Sequence, residues 1–248
     1  MLAWREKMKT ASLLLAGLSF APAAIAQQPI MFSTESYPPF GYREPDGTYR
    51  GAGVDQIEII MHGVETPFVM EIMPWARAIM LAETQPMHCV FAAARTPERE
   101  PRFKWVMPLF IDRNILIRHT GSKVDASTIE EARQYAVGTH RGDYTEALLR
   151  NSGFPRIDLS ADFDTTLRKL LGDRIDMMPM SQGVYEKLKA EGTPIEKVMI
   201  FSEQRLGIAC NKDVPDELIS KMQANLDEMI RNGAQDAIFR RYGINEPQ

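Results

Sequence analysis

The segment FAAARTPEREPRFKWVMPLF, Phe91 to Phe110, consists of two apolar stretches separated by a charged turn. The turn places four charged side chains within six residues, at Arg95, Glu98, Arg99 and Glu100. Apolar runs bounded by a proline-containing polar turn are typical of buried strands. We therefore predict a strand over Cys89–Ala94 and a mostly extended segment over Trp105–Ile117.

Strands and helices alternate on both sides of this segment, which favours an α/β architecture. Toward the N-terminus, Pro29–Ser33 has the pattern of a short apolar strand. Toward the C-terminus, Gly121-Ser122-Lys123 marks the start of a second unit. Ser127 and Glu130 predict a capping box at the first helix of that unit.

The last third of the chain is predicted to return to extended structure and then to become helical. Val198–Phe201 and Leu206–Cys210 are predicted as separate extended pieces, and Asp216–Tyr242 as one long helical stretch. Its apolar stripe is formed by residues four apart, Leu218, Met222, Leu226 and Ile230.

The N-terminus has the pattern of an export signal. Lys7 and Lys9 precede an apolar run over residues 11–20, and Ala24-Ile25-Ala26 fits the small-x-small cleavage pattern. We therefore predict a signal peptide over residues 1–26 and a mature, exported chain that starts at Gln27. No later segment is apolar enough to predict a membrane span.

The charge balance excludes nucleic acid as the expected partner. The formal net charge is −4. Without the export signal, which holds three basic residues and one acidic residue, it becomes −6. Binding to nucleic acid requires clustered lysine and arginine instead.

The sequence holds two cysteines, Cys89 and Cys210, each in an apolar, strand-like run. In an oxidising compartment they could form a disulfide. A buried cysteine can equally serve as a small apolar side chain. The sequence leaves both alternatives open.

Motifs for catalysis, metals and cofactors are missing from the sequence. The four histidines do not follow metal-ligand spacing, and there is no Cys-x-x-Cys, phosphate-binding loop or dinucleotide fingerprint. We predict a non-enzymatic protein without a bound metal or cofactor.

Several motifs, taken in order, resemble one family, the bacterial solute-binding proteins of family 3, which serve amino-acid-type ABC transporters. The resemblance covers nearly all of the mature chain. Its elements are Tyr37-Pro38-Pro39-Phe40, Gly53-Val54-Asp55, Pro74-Trp75-x-Arg77-Ala78, Arg95-Thr96-Pro97-Glu98-Arg99, Gly172-x-Arg174-Ile175-Asp176 and Arg241-Tyr242-Gly243.

This resemblance implies a type II periplasmic-binding-protein fold, an α/β fold of two lobes joined by two hinge strands with a ligand cleft between them. It places the first lobe at residues 27–115 and 204–248, and the second lobe at 116–203. It also implies a monomer in the periplasm that carries a small anionic ligand to an inner-membrane ABC permease.

The resemblance assigns the ligand's carboxylate to Arg99, whose planar guanidinium matches a carboxylate in a bidentate manner. The alternative is that Arg99 pairs with Glu98 or Glu100 at the surface. Tyr37 and Trp75 are the expected aromatic walls of the site, although Trp75 could instead belong to the core of the lobe.

In the second lobe the resemblance points to Gly142, Asp143 and Tyr144, which precede or begin a helix. Backbone N–H groups at a helix N-terminus attract anions, so this loop is expected to close on the ligand. The side chain of Asp143 has the alternative role of capping that helix.

Two departures from the family pattern affect the expected ligand. Ala92 and Ala94 stand where Ser or Thr hydroxyls are usual, and Ser181 stands where an acid usually pairs with the ligand's ammonium. Either another acid, Asp143 or Glu203, replaces it, or the ligand is not an ordinary α-amino acid.

Two other functions share the same family resemblance. Periplasmic cyclohexadienyl (arogenate/prephenate) dehydratases resemble the family, and their chemistry would require a poised acid such as Asp143 or Glu203 in the cleft. A ligand-sensing partner of a membrane receptor is the other alternative.

Overall fold

The computed structural model describes residues 28–244, so the predicted export signal lies outside the described residues. The strands are β1 (Ile30–Thr34), β2 (Tyr42–Arg43), β3 (Tyr49–Arg50), β4 (Phe68–Ile72), β5 (His88–Ala94), β6 (Lys104–His119), β7 (Val137–His140), β8 (Ile157–Ser160), β9 (Met178–Ser181) and β10 (Ile195–Cys210). The helices are α1 (Ala52–Met61), α2 (Trp75–Thr84), α3 (Ile129–Ala132), α4 (Tyr144–Asn151), α5 (Phe163–Leu171), α6 (Gln182–Ala190), α7 (Asp216–Arg231) and α8 (Ala234–Arg241). None of these helices is long and apolar enough to cross a membrane.

Two 16-residue strands, β6 and β10, run antiparallel to each other and connect the two lobes. The main sheet has the order β4-β1-β5-β10-β6-β9. At one end β10 pairs with β5 of the first lobe, and at the other end β6 pairs with β9 of the second. The separately predicted extended pieces, Val198–Phe201 and Leu206–Cys210, are therefore parts of one strand.

Each lobe packs helices against its own part of the sheet. In the first lobe α1, α7 and α8 pack together and α2 covers β5, whereas in the second lobe α4, α5 and α6 pack around β7, β8 and β9.

The lobe boundaries expected after residues 115 and 203 fall inside β6 and β10. The pairing of β10 with β6 shifts register at three places, between Lys197 and Met199, between Ile200 and Ser202, and between Leu206 and Ile208. Such irregularities bend a strand, and the last two lie on either side of the expected lobe boundary at residue 203.

The two cysteines form a disulfide, which decides the alternative that the sequence left open. Cys89 of β5 and Cys210 of β10 are register partners on adjacent strands, and both are fully buried. The bond closes a segment of the chain with a sequence separation of 121.

Two local predictions at helix ends need correction. The capping box is formed one residue later, by Thr128 and Glu131, because the Glu131 carboxylate accepts from the backbone of both Ser127 and Thr128. The predicted single helix over Asp216–Tyr242 is broken at Gly233, which has φ 76° and lies between α7 and α8.

The apolar stripe of α7 also differs at its last position. Met229 is buried, whereas Ile230 is 38% exposed. Steps of four residues gain on the 3.6-residue turn, so after three such steps the side chain has left the buried face.

Candidate functional site

A cavity of about 730 Å³, including its part open to solvent, lies between the lobes. The hinge strand β6 contributes Asp112 and Asn114. The other lining residues are Thr34, Glu35, Tyr37, Phe40, Gly41, Trp75, Ala92, Ala94 and Leu206 from the first lobe, and Thr139, His140, Asp143, Tyr144, Thr145, Phe163, Met178, Pro179 and Ser181 from the second.

The cavity brings together most of the site residues predicted from the sequence. Those that line it are Tyr37, Trp75, Ala94, Asp143, Tyr144 and Ser181. Arg99 and Gly142 line a neighbouring groove instead, together with Thr96 and Arg102.

Arg99 is 5% exposed and joins the two lobes. Its Nη1 donates to Ala94 O at 3.2 Å, and its Nη2 donates to Gly142 O at 2.7 Å. Its guanidinium carbon lies 5.6 Å from the centre of the Trp75 ring. Burial lowers the pKa of Arg99, but a guanidinium remains charged at neutral pH. The surface alternative is not formed, since Glu100 pairs with Arg95.

Gly142 contacts the first lobe through its carbonyl oxygen, which accepts from Trp75 Nε1 at 2.8 Å as well as from Arg99. From the sequence we expect the backbone N–H groups of this loop to close on the ligand; the contact of its carbonyl with the first lobe is an additional feature that the sequence does not predict. Gly142 has φ +77°, a backbone conformation that glycine adopts without strain. Asp143 caps α4 by accepting from Thr145 N at 2.9 Å, the alternative role considered for its side chain.

Tyr37 connects the first lobe to β9. Its hydroxyl oxygen accepts from Ser181 N at 2.9 Å, and its ring meets Phe163 edge-on at 4.6 Å between centroids. Burial raises the pKa of Tyr37 well above its ordinary value, so the hydroxyl is neutral and can also donate.

Glu35 and His140, which sequence reasoning missed, form an ion pair across the cleft. Glu35 Oε2 and His140 Nε2 are 3.2 Å apart, with side chains 14% and 9% exposed. Burial alone would lower the pKa of His140, but the hydrogen bond and charge of Glu35, with Asp143 and Asp162, raise it to about 9. The sequence signal that could have found them is their position at the carboxyl end of a strand, because ligands of α/β folds bind at those ends.

Asp112 on β6 is a second acid that was missed. It is 7% exposed, and Ser181 Oγ donates to its Oδ1 at 2.5 Å. Burial raises the pKa of Asp112 to about 6. The Ser181 hydrogen bond acts in the opposite direction, and the charge of Asp143 raises the pKa further.

Glu203, one of the acids considered from the sequence, is exposed and pairs with Arg113 at 3.4 Å outside the cavity.

Polar atoms near Asp112 are incompletely satisfied. Asn114 Oδ1 and Tyr144 Oη, both on cavity-lining residues, and Ser202 Oγ make no hydrogen bond of ordinary geometry. Ala92 also lines the cavity, with φ 59°, a strained backbone for a residue other than glycine. Buried polar atoms without partners and local strain are common where a ligand binds.

Glu35, His140 and Asp143 are the groups in the described part of the chain that could approach a metal ion. Their ligand atoms lie within 4.8 Å of one another. Each is already engaged, since Glu35 and His140 bond to each other and Asp143 caps α4.

Comparisons with known proteins agree with this geometry. The family model described as "Bacterial extracellular solute-binding proteins, family 3" matches residues 30–245. No curated protein sequence matches the chain.

Solved structures show the same two-lobed fold. An ancestral arginine-binding protein bound to glutamine has a TM-score of 0.77 at 21% identity, covering 86% of this chain and 97% of that one. A histidine kinase sensor domain with similarity to periplasmic binding proteins has a TM-score of 0.80 at 18% identity, covering 90% and 99%. The ancestral amino acid-binding protein AncCDT-1, a precursor of cyclohexadienyl dehydratase, has a TM-score of 0.75 at 18% identity, covering 86% and 93%.

Proposed function

Since the chain belongs to the bacterial extracellular solute-binding proteins of family 3, we propose that it captures a small, carboxylate-bearing, amino-acid-like solute in the periplasm. It acts there as a monomer and delivers the solute to an ABC importer of the inner membrane. The observation that carries this proposal is the cavity between the lobes, lined by side chains from both of them.

The contacts across the cleft explain how binding and closure are coupled. Arg99 and Trp75 hold the carbonyl of Gly142, and Tyr37 accepts from Ser181. All three contacts depend on the lobes being close together, so a solute that bridges the cavity favours the closed arrangement.

Arg99 remains the proposed partner of the solute's carboxylate. A guanidinium has five N–H donors, and the contacts to Ala94 O and Gly142 O engage two of its nitrogens. Ala94, whose carbonyl accepts from Arg99, itself lines the cavity, which brings the guanidinium next to the cavity wall.

A thermal-unfolding screen tests the proposal. The panel is the standard amino acids, opines, dipeptides and dicarboxylates. A solute at 100 times its Kd stabilises the folded protein by about 2.7 kcal/mol, which raises Tm measurably. We expect at least one carboxylate-bearing solute to do so, and a panel with no effect on Tm would refute the proposal.

Arg99→Lys tests the carboxylate anchor, because lysine keeps the charge and loses the planar fork. We expect it to reduce the solute-induced rise in Tm strongly. The matched control is Arg231→Lys, since Arg231 is exposed at the end of α7 and pairs with Glu228 outside the cavity and the groove. An equal rise in Tm for Arg99→Lys and the wild-type protein would remove Arg99 from the site.

A second candidate function is dehydration of prephenate-like substrates. It is favoured by Asp112, a cavity-lining carboxyl whose pKa of about 6 suits a proton donor at mildly acidic pH. Incubation with prephenate distinguishes the two functions, because a dehydratase releases phenylpyruvate, carbon dioxide and water. A sensing role would rest on the same binding step and would differ in its membrane partner.

A further inference from the structure

Glu35, His140 and Asp143 form a cluster in the cavity that the proposed solute contacts do not involve. Glu35 comes directly after β1 of the first lobe, whereas His140 ends β7 and Asp143 precedes α4, both in the second lobe. All three residues line the cavity. One metal-ligand atom from each lies within 4.8 Å of the other two. The cluster is therefore complete only while the two lobes are close together.

The distance between Glu35 and His140 matches the distance between two ligands of one metal ion. Imidazole nitrogens and carboxylate oxygens bind zinc at about 2.0–2.2 Å, so two of them on a tetrahedral ion are about 3.4 Å apart. Glu35 Oε2 and His140 Nε2 are 3.2 Å apart. An ion between them takes the place of the proton that the pair shares, and that proton passes to solvent.

Asp143 keeps one carboxylate oxygen for such an ion while it caps α4. Its Oδ1 accepts from Thr145 N at 2.9 Å and also from Thr145 Oγ1, so the cap uses one of the two oxygens. Arg99 attracts Asp143 from the neighbouring groove, but the hydrogen bonds of Arg99 go to carbonyl oxygens. Oδ2 of Asp143 is therefore the third candidate ligand atom.

The charges that line the cavity favour a bound cation. Its acidic lining residues are Glu35, Asp112 and Asp143, whereas its one basic lining residue is His140. Burying carboxylates is costly unless a positive charge compensates them. A divalent ion beside His140 supplies that charge at the point where both lobes contribute a carboxylate.

Ser160 on β8 provides an independent indication of a ligand at this place. It is the register partner of His140 in the parallel pair of β7 and β8, so the two side chains lie on the same face of the sheet. Ser160 is 3% exposed, and among the residues that the structure describes its Oγ has no hydrogen-bond partner. A water molecule bound to an ion at His140 would supply this partner, since the ligands of metal ions are themselves hydrogen-bonded.

We propose that Glu35, His140 and Asp143 bind one first-row divalent metal ion, such as Zn²⁺, which joins the two lobes. One nitrogen and two carboxylate oxygens suit these ions, whereas Mg²⁺ prefers oxygen ligands alone. Three protein ligands leave a coordination position for water or for a group of the solute. Sequence spacing does not mark this site, because Glu35 and His140 are 105 positions apart.

Isothermal titration with zinc chloride tests the proposal on protein that has been treated with EDTA and dialysed, with no solute present. We expect one equivalent of Zn²⁺ to bind and to raise Tm, and we expect magnesium chloride to do neither. Absence of zinc binding would overturn the metal site and leave the proposed capture of a solute intact. A solute screen without a hit would refute that capture and leave the metal site intact.

Two variants remove ligands of the ion from the second lobe. His140→Gln removes the nitrogen, and Asp143→Asn removes a charge while keeping a side chain that can cap α4. We expect each to weaken zinc binding at least about tenfold. The matched control is His62→Gln, since His62 is exposed at the end of α1, and it should bind zinc as the wild-type protein does. Equal zinc affinity of His140→Gln and the wild-type protein would overturn the proposal.

Glu35→Gln tests whether the ion joins the lobes, because Glu35 is the ligand from the first lobe. We expect this variant to lose zinc affinity as well. The visible absorption of bound Co²⁺ is a second readout, since its intensity depends on the geometry of coordination. An unchanged Co²⁺ spectrum and an unchanged zinc affinity in Glu35→Gln would show that the second lobe alone holds the ion, which would overturn the site proposed here.

Discussion

The ion pair of Glu35 and His140 illustrates how one residue of each lobe can stabilise the closed protein. Both side chains are largely buried, so their attraction is screened less than that of a surface pair. Glu35 comes directly after β1 and His140 is the last residue of β7. The pair therefore forms only when the ends of these two strands face each other.

The raised pKa of His140 predicts how stability depends on pH. Because its folded pKa is about 9 against an ordinary value of 6.5, the protonated form is favoured in the folded state. Its contribution is complete below pH 6.5 and is lost as pH rises through 9. We expect the free energy of unfolding of the wild-type protein to fall by on the order of 2 kcal/mol more than that of His140→Gln between pH 6.5 and 9.5.

The measurement is urea unfolding at a series of pH values. His62→Gln is the control, because His62 is exposed at the end of α1. Parallel curves for His140→Gln and the wild-type protein would show that the pair does not stabilise the folded state.

Sequence motifs found only some of these residues. Tyr37, Trp75 and Arg99 stand in short motifs that the family shares, so their places at or beside the cleft could be expected. Asp112 has its hydrogen-bonding partner 69 residues away, and Glu35 pairs with a residue 105 positions away. Such partners are brought together by the fold alone, and no local pattern in the sequence shows which residues pair.

At the scale of elements, the order of strands and helices could be predicted because apolar periodicity is local. Features set by tertiary contacts could not be predicted. The continuity of β10 depends on its pairing with β6, and the break between α7 and α8 depends on the left-handed backbone of Gly233. Helix propensity alone predicts that the helix continues past this glycine, because one glycine in a helical pattern is tolerated at a cost of about 1 kcal/mol.

Gly207 on β10 is predicted to be intolerant of a side chain. A Cβ there would lie 2.6 Å from Val106 O and 2.4 Å from Met107 Cγ. The methionine can move, but the carbonyl belongs to the neighbouring hinge strand. We expect Gly207→Ala to lower the free energy of unfolding by about 2 kcal/mol or more.

Gly183→Ala is the matched control in urea unfolding. A Cβ at Gly183 would lie 3.6 Å from Phe40 Cζ, an ordinary contact, and Gly183 lies in α6, where alanine is favoured over glycine. Equal losses of unfolding free energy in the two variants would show that the close approach of β6 does not make Gly207 intolerant of a side chain.

At the scale of the whole molecule, the disulfide joins the two parts of the chain that build the first lobe. Cys89 precedes the second lobe in sequence and Cys210 follows it. Cross-linking residues this far apart removes much of the freedom of the unfolded chain.

We expect the double variant Cys89→Ser, Cys210→Ser to lose about 5 kcal/mol of unfolding free energy, the value for a closed loop of this length. Chemical unfolding with and without a reductant measures the loss. Reductant should lower the stability of the wild-type protein and leave the double variant unchanged. Equal stability of the oxidised wild-type protein and the double variant would show that the bond does not constrain the unfolded chain.

The same bond makes the sequence between the cysteines a covalent ring. A peptidase that severs one peptide bond anywhere within residues 90–209 opens this ring without dividing the molecule, because the two fragments stay tethered through the disulfide. Damage to an exposed loop of the second lobe therefore leaves β10, α7 and α8 covalently attached to the rest of the first lobe.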